Sequence, residues 1–250
     1  MLRLENVTLT AGNTTLVEEV SFEVLPGQTT CLVGASGSGK SLIAKAIMGL
    51  LPSGIHQANG AIYFNGKDLS TLSSEERRCL RGQSMAMIFQ EPMSALNPVL
   101  TIGYQIEEVF LAHTNLPRAK RLQAVESLLK KVGIAPERKK SYADELSGGQ
   151  RQRVMIAMAV ALSPQLLLAD EPTTALDVTV QAQILQLLQD IQQHEKMGIL
   201  FITHDFGIVS MLADEIIVLR KGRIVEQGLA ERILVAPRHP YTQELMNLAA

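Results

Sequence analysis

Short apolar runs and longer segments of helical period alternate along the chain, the pattern of a parallel sheet covered by helices. Leu2–Leu9 and Ser21–Val24 alternate apolar with polar residues, which predicts strands of an antiparallel edge near the N-terminus. Gln28–Val33 predicts a buried strand running straight into a glycine-rich turn. Leu42–Met48 predicts a helix closed by Leu50-Leu-Pro52, and Ala61–Phe64 a further strand before the turn Asn65-Gly66. Ser73, with Glu76 three residues on, marks a capping-box start for a helix through Arg81. From Pro92 to Ser141 the period is mainly helical, clearest over Ile102–Leu111 and Ala119–Val132. Strands return at Leu166–Ala169, Ile199–Thr203, Ile216–Leu219 and Ile224–Glu226. Between the first two of these lies Val178–Glu195, where Val180, Ile184, Leu187, Leu188 and Ile191 form one apolar stripe and the glutamines between them a solvated face. With no repeat and no flexible linker, the simplest architecture is one α/β domain over 1–250. Its core spans about 1–91 and 164–250, with an inserted α-helical subdomain at about 92–163.

The strongest chemical signal follows the strand at Gln28–Val33. Gly34, Ala35, Ser36, Gly37, Ser38, Gly39, Lys40 and Ser41 match G-x-x-x-x-G-K-[ST]. Glycines let the backbone fold tightly, so that successive N–H groups converge on a phosphate. Lys40 brings a point charge toward the β- and γ-phosphates, and the Ser41 hydroxyl suits Mg²⁺. The helix that begins here presents the positive end of its dipole to the same anion. At average glycine usage of about 7%, such a match arises by chance in roughly one chain in a hundred of this length.

The second half supplies complementary groups. Leu166-Leu-Leu-Ala-Asp170 is a buried strand ending in a carboxylate suited to Mg²⁺, and Glu171 follows at the strand end, where a carboxylate can take a proton from an attacking water. Leu146-Ser147-Gly148-Gly149-Gln150 precedes a helix over Arg151–Leu162, so a serine and two glycines build a second anion-binding helix start.

Composition narrows the partners. The chain has 250 residues, 46% hydrophobic and 19% charged, enough for one sizeable core. A net charge of −2 argues against nucleic acid as the main partner. No apolar run approaches the roughly 18 residues that a spanning helix needs, and the start Met1-Leu-Arg-Leu-Glu5 lacks the pattern of a signal peptide. A cytoplasmic site is therefore expected. The two cysteines, Cys31 and Cys79, lack metal-ligand spacing, and Cys31 reads as a small buried filler.

Taken in order, these motifs resemble the nucleotide-binding subunit of ATP-binding-cassette (ABC) transporters, and the resemblance covers essentially the whole chain. It implies a P-loop ATPase core of the RecA-like kind with an N-terminal antiparallel β subdomain and a helical insertion. The family's Walker A matches Gly34–Ser41, its Q-loop glutamine Gln90, and its signature Leu146–Gln150. The Walker B aspartate and catalytic glutamate match Asp170 and Glu171, the D-loop Ala175-Leu-Asp177, and the switch histidine His204. The resemblance implies ATP and Mg²⁺, with Ser41, Gln90 and Asp170 around the metal and Lys40, Glu171 and His204 in catalysis. It also implies a head-to-tail pair of ATPase subunits, in which Ser147, Gly148, Gly149 and Gln150 of one complete the nucleotide site of the other. Two membrane-spanning permease subunits and, indirectly, an external binding protein are the implied partners, at the cytoplasmic face of the cell membrane. One departure concerns the base: the family usually carries an aromatic residue after the first strand, and here Ala11 stands roughly in that place.

Phe89–Pro98, Asp170–Leu185 and His239-Pro-Tyr-Thr242 resemble more narrowly the peptide/nickel importer subfamily. Peptide-importing members often carry a C-terminal cysteine cluster that this sequence lacks, so the short form resembles the nickel or metal-chelate importers more, with di- or oligopeptide import as the alternative. A chromosome-maintenance or DNA-repair ATPase would carry long coiled coils between Walker A and signature, and a translation factor two cassettes. Neither is present here.

Overall fold

A computed structural model describes residues 1–90, 95–174 and 176–248. The chain divides into two compact units, Met1–Arg78 with Lys196–Ala250, and Cys79–Glu195.

The first unit opens with two long antiparallel strands, β1 (Leu2–Ala11) and β2 (Thr14–Val24). β1 continues past the expected Leu9 to Ala11, and β2 begins at Thr14, well ahead of the expected Ser21; in both the alternation slips by one residue inside the strand. β1 buries Leu2 and Leu4, then Val7 and Leu9, while β2 buries Val17, then Val20, Phe22 and Val24. Asn6 (φ 48°) and Glu19 (φ 50°) take left-handed backbone at the two slips, and the β1–β2 register shifts between Leu4 and Val7 and between Val7 and Leu9. Such bulges return the apolar residues to one face. Side chains satisfy the freed amides: Asn6 N–H donates to Ser21 Oγ at 2.7 Å and Glu19 N–H to Thr8 Oγ1 at 3.1 Å. β1 also pairs antiparallel with β4 (Ile55–Phe64), which turns through Asn65-Gly66 into β5 (Lys67–Asp68), giving the sheet order β2-β1-β4-β5.

The second sheet of this unit holds β3 (Thr29–Val33) between β8 (Gly198–Thr203) and β9 (Glu215–Arg220), parallel to both, with β10 (Arg223–Leu229) antiparallel on β9. Every residue of β3 and β8 is buried, as the continuous apolar runs of a covered parallel sheet require. Cys31 is fully buried within β3, and burial, with the Asp214 carboxylate nearby, pushes its thiol far above the usual range. It is a packing residue, as its setting in the sequence indicated. The helices are α1 (Lys40–Met48), α7 (Phe206–Leu212), α8 (Ala230–Val235) and α9 (Pro240–Leu248).

Helix α2 (Ser74–Gln83) begins at the capping box expected of it: Ser73 Oγ accepts from Glu76 N–H at 3.2 Å, and Glu76 Oε2 accepts from Ser73 N–H at 2.8 Å. Its backbone departs from helical angles at Arg81 and Gly82.

In the second unit β6 (Met85–Ile88) runs parallel to β7 (Leu166–Asp170). Among the described residues the helices α3 (Ile102–His113), α4 (Arg118–Lys131), α5 (Gly148–Ala159) and α6 (Val178–Glu195) accompany them. An ion pair set into α3 and α4, Arg121 Nε to Glu107 Oε1 at 2.9 Å, is largely shielded from water. The apolar stripe of α6 is buried at Ile184, Leu187, Leu188 and Ile191, with Leu185 and Gln192 added. α5 stops at Ala159, short of the Leu162 expected, and Ser163 then takes a left-handed φ of 49°. Among the described residues no helix is long and apolar enough to cross a membrane.

Candidate functional site: a phosphate loop and a carboxylate strand end

In the first unit the site is built on the C-terminal ends of two neighbouring parallel strands, where open α/β sheets place their ligands. Val33 of β3 lies opposite Thr203 of β8, so the residues that follow, Gly34 and His204, leave the sheet at one edge. The loop Gly34–Ser41 is short because the chain must reverse and enter α1 at Lys40. Two glycines in it have no substitute. A Cβ on Gly34 would lie 2.2 Å from the Leu219 carbonyl oxygen, and one on Gly39 2.9 Å from a Val17 methyl at a φ of +107°. Gly34→Ala should therefore displace the loop and lower both ATP affinity and melting temperature, measured by titration and thermal unfolding.

Lys40 folds back over its own loop. Its ammonium, on a side chain 5% exposed, donates to the carbonyls of Gly34 at 2.6 Å and Ala35 at 3.0 Å. Ser38 is buried beneath the turn, where its backbone carbonyl accepts from Gly222 N–H at 2.9 Å, while Ala35, Ser36 and Gly37 are exposed. Ser41 opens the first turn of α1, half-buried. His204 is exposed at the end of β8, just before Asp205, whose carboxylate caps α7 by accepting from Gly207 N–H at 2.7 Å.

In the second unit the parallel pair β6 and β7 repeats this logic. Their aligned C-terminal ends bring Gln90 and the Asp170–Glu171 pair together. Asp170 is only 4% exposed. Glu171 sits in left-handed backbone at φ 46°, a conformation that costs a non-glycine residue on the order of 1–3 kcal/mol and gathers at functional sites. Its Oε2 accepts from Gln90 Nε2 at 3.2 Å and from Thr174 Oγ1 at 3.0 Å. Thr174 was not singled out in the sequence; a hydroxyl three residues after a strand-end acid carries no signal of its own.

The serine-glycine turn is a helix start. Ser147 Oγ accepts from Gln150 N–H at 3.3 Å, and Gln150 Oε1 accepts from Ser147 N–H at 3.1 Å, a reciprocal capping box on α5. The N–H groups of Gly148 and Gly149 belong to the first turn, which has no helical acceptors, so they are free to face an anion. Val180 restricts Gly149, lying 2.5 Å from where its Cβ would be. Asp177 caps α6, accepting from Val180 N–H at 2.9 Å. Ala175 of the expected D-loop and residues 91–94, which follow Gln90, lie outside the described residues.

The oxygen donors expected of each unit have the chemistry that magnesium prefers. A hydroxyl (Ser41), a carboxylate (Asp170) and an amide carbonyl (Gln90) are hard oxygen ligands. Mg²⁺ characteristically takes one or two carboxylates, with substrate phosphates and water making up the rest.

A glycine-rich loop from a buried parallel strand into a helix, with a lysine folded over it, defines a P-loop nucleotide-binding protein. Residues 17–174 match the ABC transporter family. Over 92% of its length the chain is 52% identical to the peptidoglycan transport ATP-binding protein YejF of Agrobacterium fabrum, spanning 43% of that protein. Over the same share it is 49% identical to the dipeptide transport ATP-binding protein DppD of Escherichia coli, spanning 71% of it. The dimeric ATP-binding cassette MJ0796, solved in a post-hydrolysis state with ADP and Pi, superposes with a TM-score of 0.81 at 27% identity, over 92% of this chain and 99% of that one. The cbiO1 subunit of the Clostridium perfringens cbiONQ transporter complex gives a TM-score of 0.83 at 26% identity, over 98% of each chain. The chain belongs to the ABC transporter family, as an ATP-binding, ATP-hydrolysing subunit with the mixed α/β fold of that family.

Proposed function

We propose that this subunit powers peptide import across the cell membrane, from its cytoplasmic face, with two permease subunits and a second ATPase subunit as partners. The observation that carries the cargo is the 49% identity to a dipeptide transport protein over 92% of the chain. The relatives described above are named for peptide or peptidoglycan transport, which favours short peptides over the metal chelate suggested by the missing cysteine cluster. The test is ATPase activity of the assembled transporter in vesicles, with its external binding protein supplied with dipeptides or with nickel chelate. Stimulation by dipeptide alone is expected; stimulation by the chelate alone would overturn the peptide reading.

Gly34–Ser41 cradles the triphosphate, with loop amides and the Lys40 ammonium meeting the β- and γ-phosphates. Ser41, Asp170 and Gln90 would hold Mg²⁺, which would supply positive charge against the developing phosphate charge. Glu171 orients a water and takes its proton as the water oxygen bonds to the γ-phosphorus. The bond from that phosphorus to the bridging oxygen breaks, leaving ADP and phosphate. His204 donates to the transferring phosphoryl group. The capped start of α5, Ser147 to Gln150 with both glycine amides unclaimed, serves the nucleotide of the partner ATPase, and Asp177 belongs to the same contact. Two such heads then close on ATP and part on its hydrolysis, a cycle the permeases can use. The dimeric state of MJ0796 supports this pairing.

Ala11, where an aromatic residue would stack on adenine, leaves the base held by weaker contacts. Since stacking is worth about 1–3 kcal/mol, Ala11→Tyr should tighten ATP binding by roughly one to two orders of magnitude. An unchanged dissociation constant by calorimetry would count against the site.

A further inference from the structure

We infer that Tyr241 is a positioning residue of the nucleotide site: its hydroxyl fixes the Gly34–Ala35 peptide and, through that peptide, the Lys40 ammonium. The inference rests on the reading that Gly34–Ser41 binds the phosphates of ATP. In the sequence, Tyr241 stood out only as part of His239-Pro-Tyr-Thr242, a mark of subfamily resemblance with no chemistry attached. The fold brings it across 206 residues to the phosphate loop, where Ala35 N–H donates to its hydroxyl at 3.0 Å.

The carbonyl of that same peptide unit, Gly34 O, is the acceptor for Lys40 Nζ at 2.6 Å. In a trans peptide the N–H and C=O point in opposite directions. Ammonium, peptide and phenol therefore form one relay, in which each hydrogen bond polarises the next. Lys40 is 5% exposed and Tyr241 8%, so water competes little for either end. The plane needs holding: Gly34 has no side chain to resist rotation, and a turn of this peptide would carry away the carbonyl that steadies the lysine. Leu219 O closes one approach to Gly34, and Tyr241 secures the amide beyond it.

Tyr241 is itself fixed from three sides. The Arg220 guanidinium at the end of β9 lies 4.7 Å from its ring centroid. Its backbone N–H donates to His239 Nδ1 at 3.1 Å at the start of α9. Arg238 and His239 donate their N–H groups to the Glu226 carboxylate on β10, at 2.8 and 3.1 Å. Burial acts to raise the Glu226 pKa, but hydrogen bonds from Thr242, Arg238 and His239 outweigh it and hold the carboxyl below its usual value. The anchor is thus charged at neutral pH. A ring needed only for packing would be served as well by phenylalanine, which lacks the one atom that reaches the loop.

Tyr241→Phe in the full chain is the test, read by direct ATP titration, steady-state kinetics, thermal unfolding and amide exchange at Ala35. Losing one such hydrogen bond should weaken ATP binding roughly 2- to 10-fold. KM should rise in step, kcat and melting temperature should stay near those of the parent, and Ala35 N–H should exchange faster. A merely structural role would instead lower the active fraction, so that apparent kcat and melting temperature fall at unchanged KM. That outcome, or unchanged ATP affinity with unchanged Ala35 exchange, overturns the inference. Lys40→Ala measured alongside separates the two levels: if it too binds ATP like the parent, the phosphate-loop reading fails. If only Tyr241→Phe is silent, the positioning role alone is lost.

Discussion

Glu171→Gln lowers ATP turnover by about 10²–10⁴-fold, the usual contribution of a positioned general base, while ATP binding persists. The substitution keeps volume and shape and removes only the group that can accept a proton. An amide oxygen at this position can still accept the hydrogen bonds that Gln90 and Thr174 give the carboxylate at 3.2 and 3.0 Å. The strained backbone at φ 46° is unaffected, because it belongs to the turn leaving β7 rather than to the side chain. Binding and chemistry should therefore separate: titration shows nucleotide held as before, while phosphate release nearly stops. If hydrolysis is blocked and binding is not, ATP also accumulates on the subunit, and size-exclusion chromatography with ATP should show a longer-lived pair of heads. Near-normal turnover would remove Glu171 from the reaction.

Lys40→Ala acts one step earlier. Truncating one partner of a buried charge pair costs about 2–5 kcal/mol, which corresponds to a loss in ATP affinity of roughly 30- to several-thousand-fold. The geometry argues for the upper part of that range. The ammonium is almost wholly shielded and is already held against Gly34 and Ala35, so little ordering entropy remains to be lost when phosphate arrives. Fold stability should fall as well, because the Gly34 carbonyl it releases is buried and loses its partner, while the Ala35 carbonyl lies at an exposed residue and can take water. Calorimetric titration with ATP and Mg²⁺, set beside a thermal melt, checks both halves of the expectation.

The core strands were legible because burial on both faces demands unbroken apolar runs. The strands read as Gln28–Val33, Leu166–Asp170 and Ile199–Thr203 stand within a residue of those observed, and they deliver Gly34, Asp170 and His204 to the site. The phosphate loop was legible for a different reason: its steric demands admit almost no other composition, as the 2.2 Å approach to Leu219 O at Gly34 shows. What escaped was local irregularity. β2 begins at Thr14, ahead of a bulge at Glu19 where the two-residue period breaks, so a reading by alternation finds only Ser21–Val24, whereas β1 reads through its bulge at Asn6 as far as Leu9. β6, Met85-Ala-Met-Ile, is too short to show any period, although it carries the chain to Gln90. Thr174 and Tyr241 escaped because their partners, Glu171 and Ala35, are chosen by the fold. One is a turn closing on a strand end, the other a helix returning after 206 residues, and neither spacing is a motif.

β3, which delivers the phosphate loop, is flanked on both sides by β8 and β9, strands from the last quarter of the chain. A polypeptide emerging from the ribosome therefore carries its Walker A residues without either flanking strand until residues 198–220 have been made. Pairings of such long reach close slowly, since loop entropy must be met before they gain anything. The seat of the phosphate loop is therefore finished only when residues 198–220 have joined the sheet, and a chain cut before them would lack both neighbours of β3.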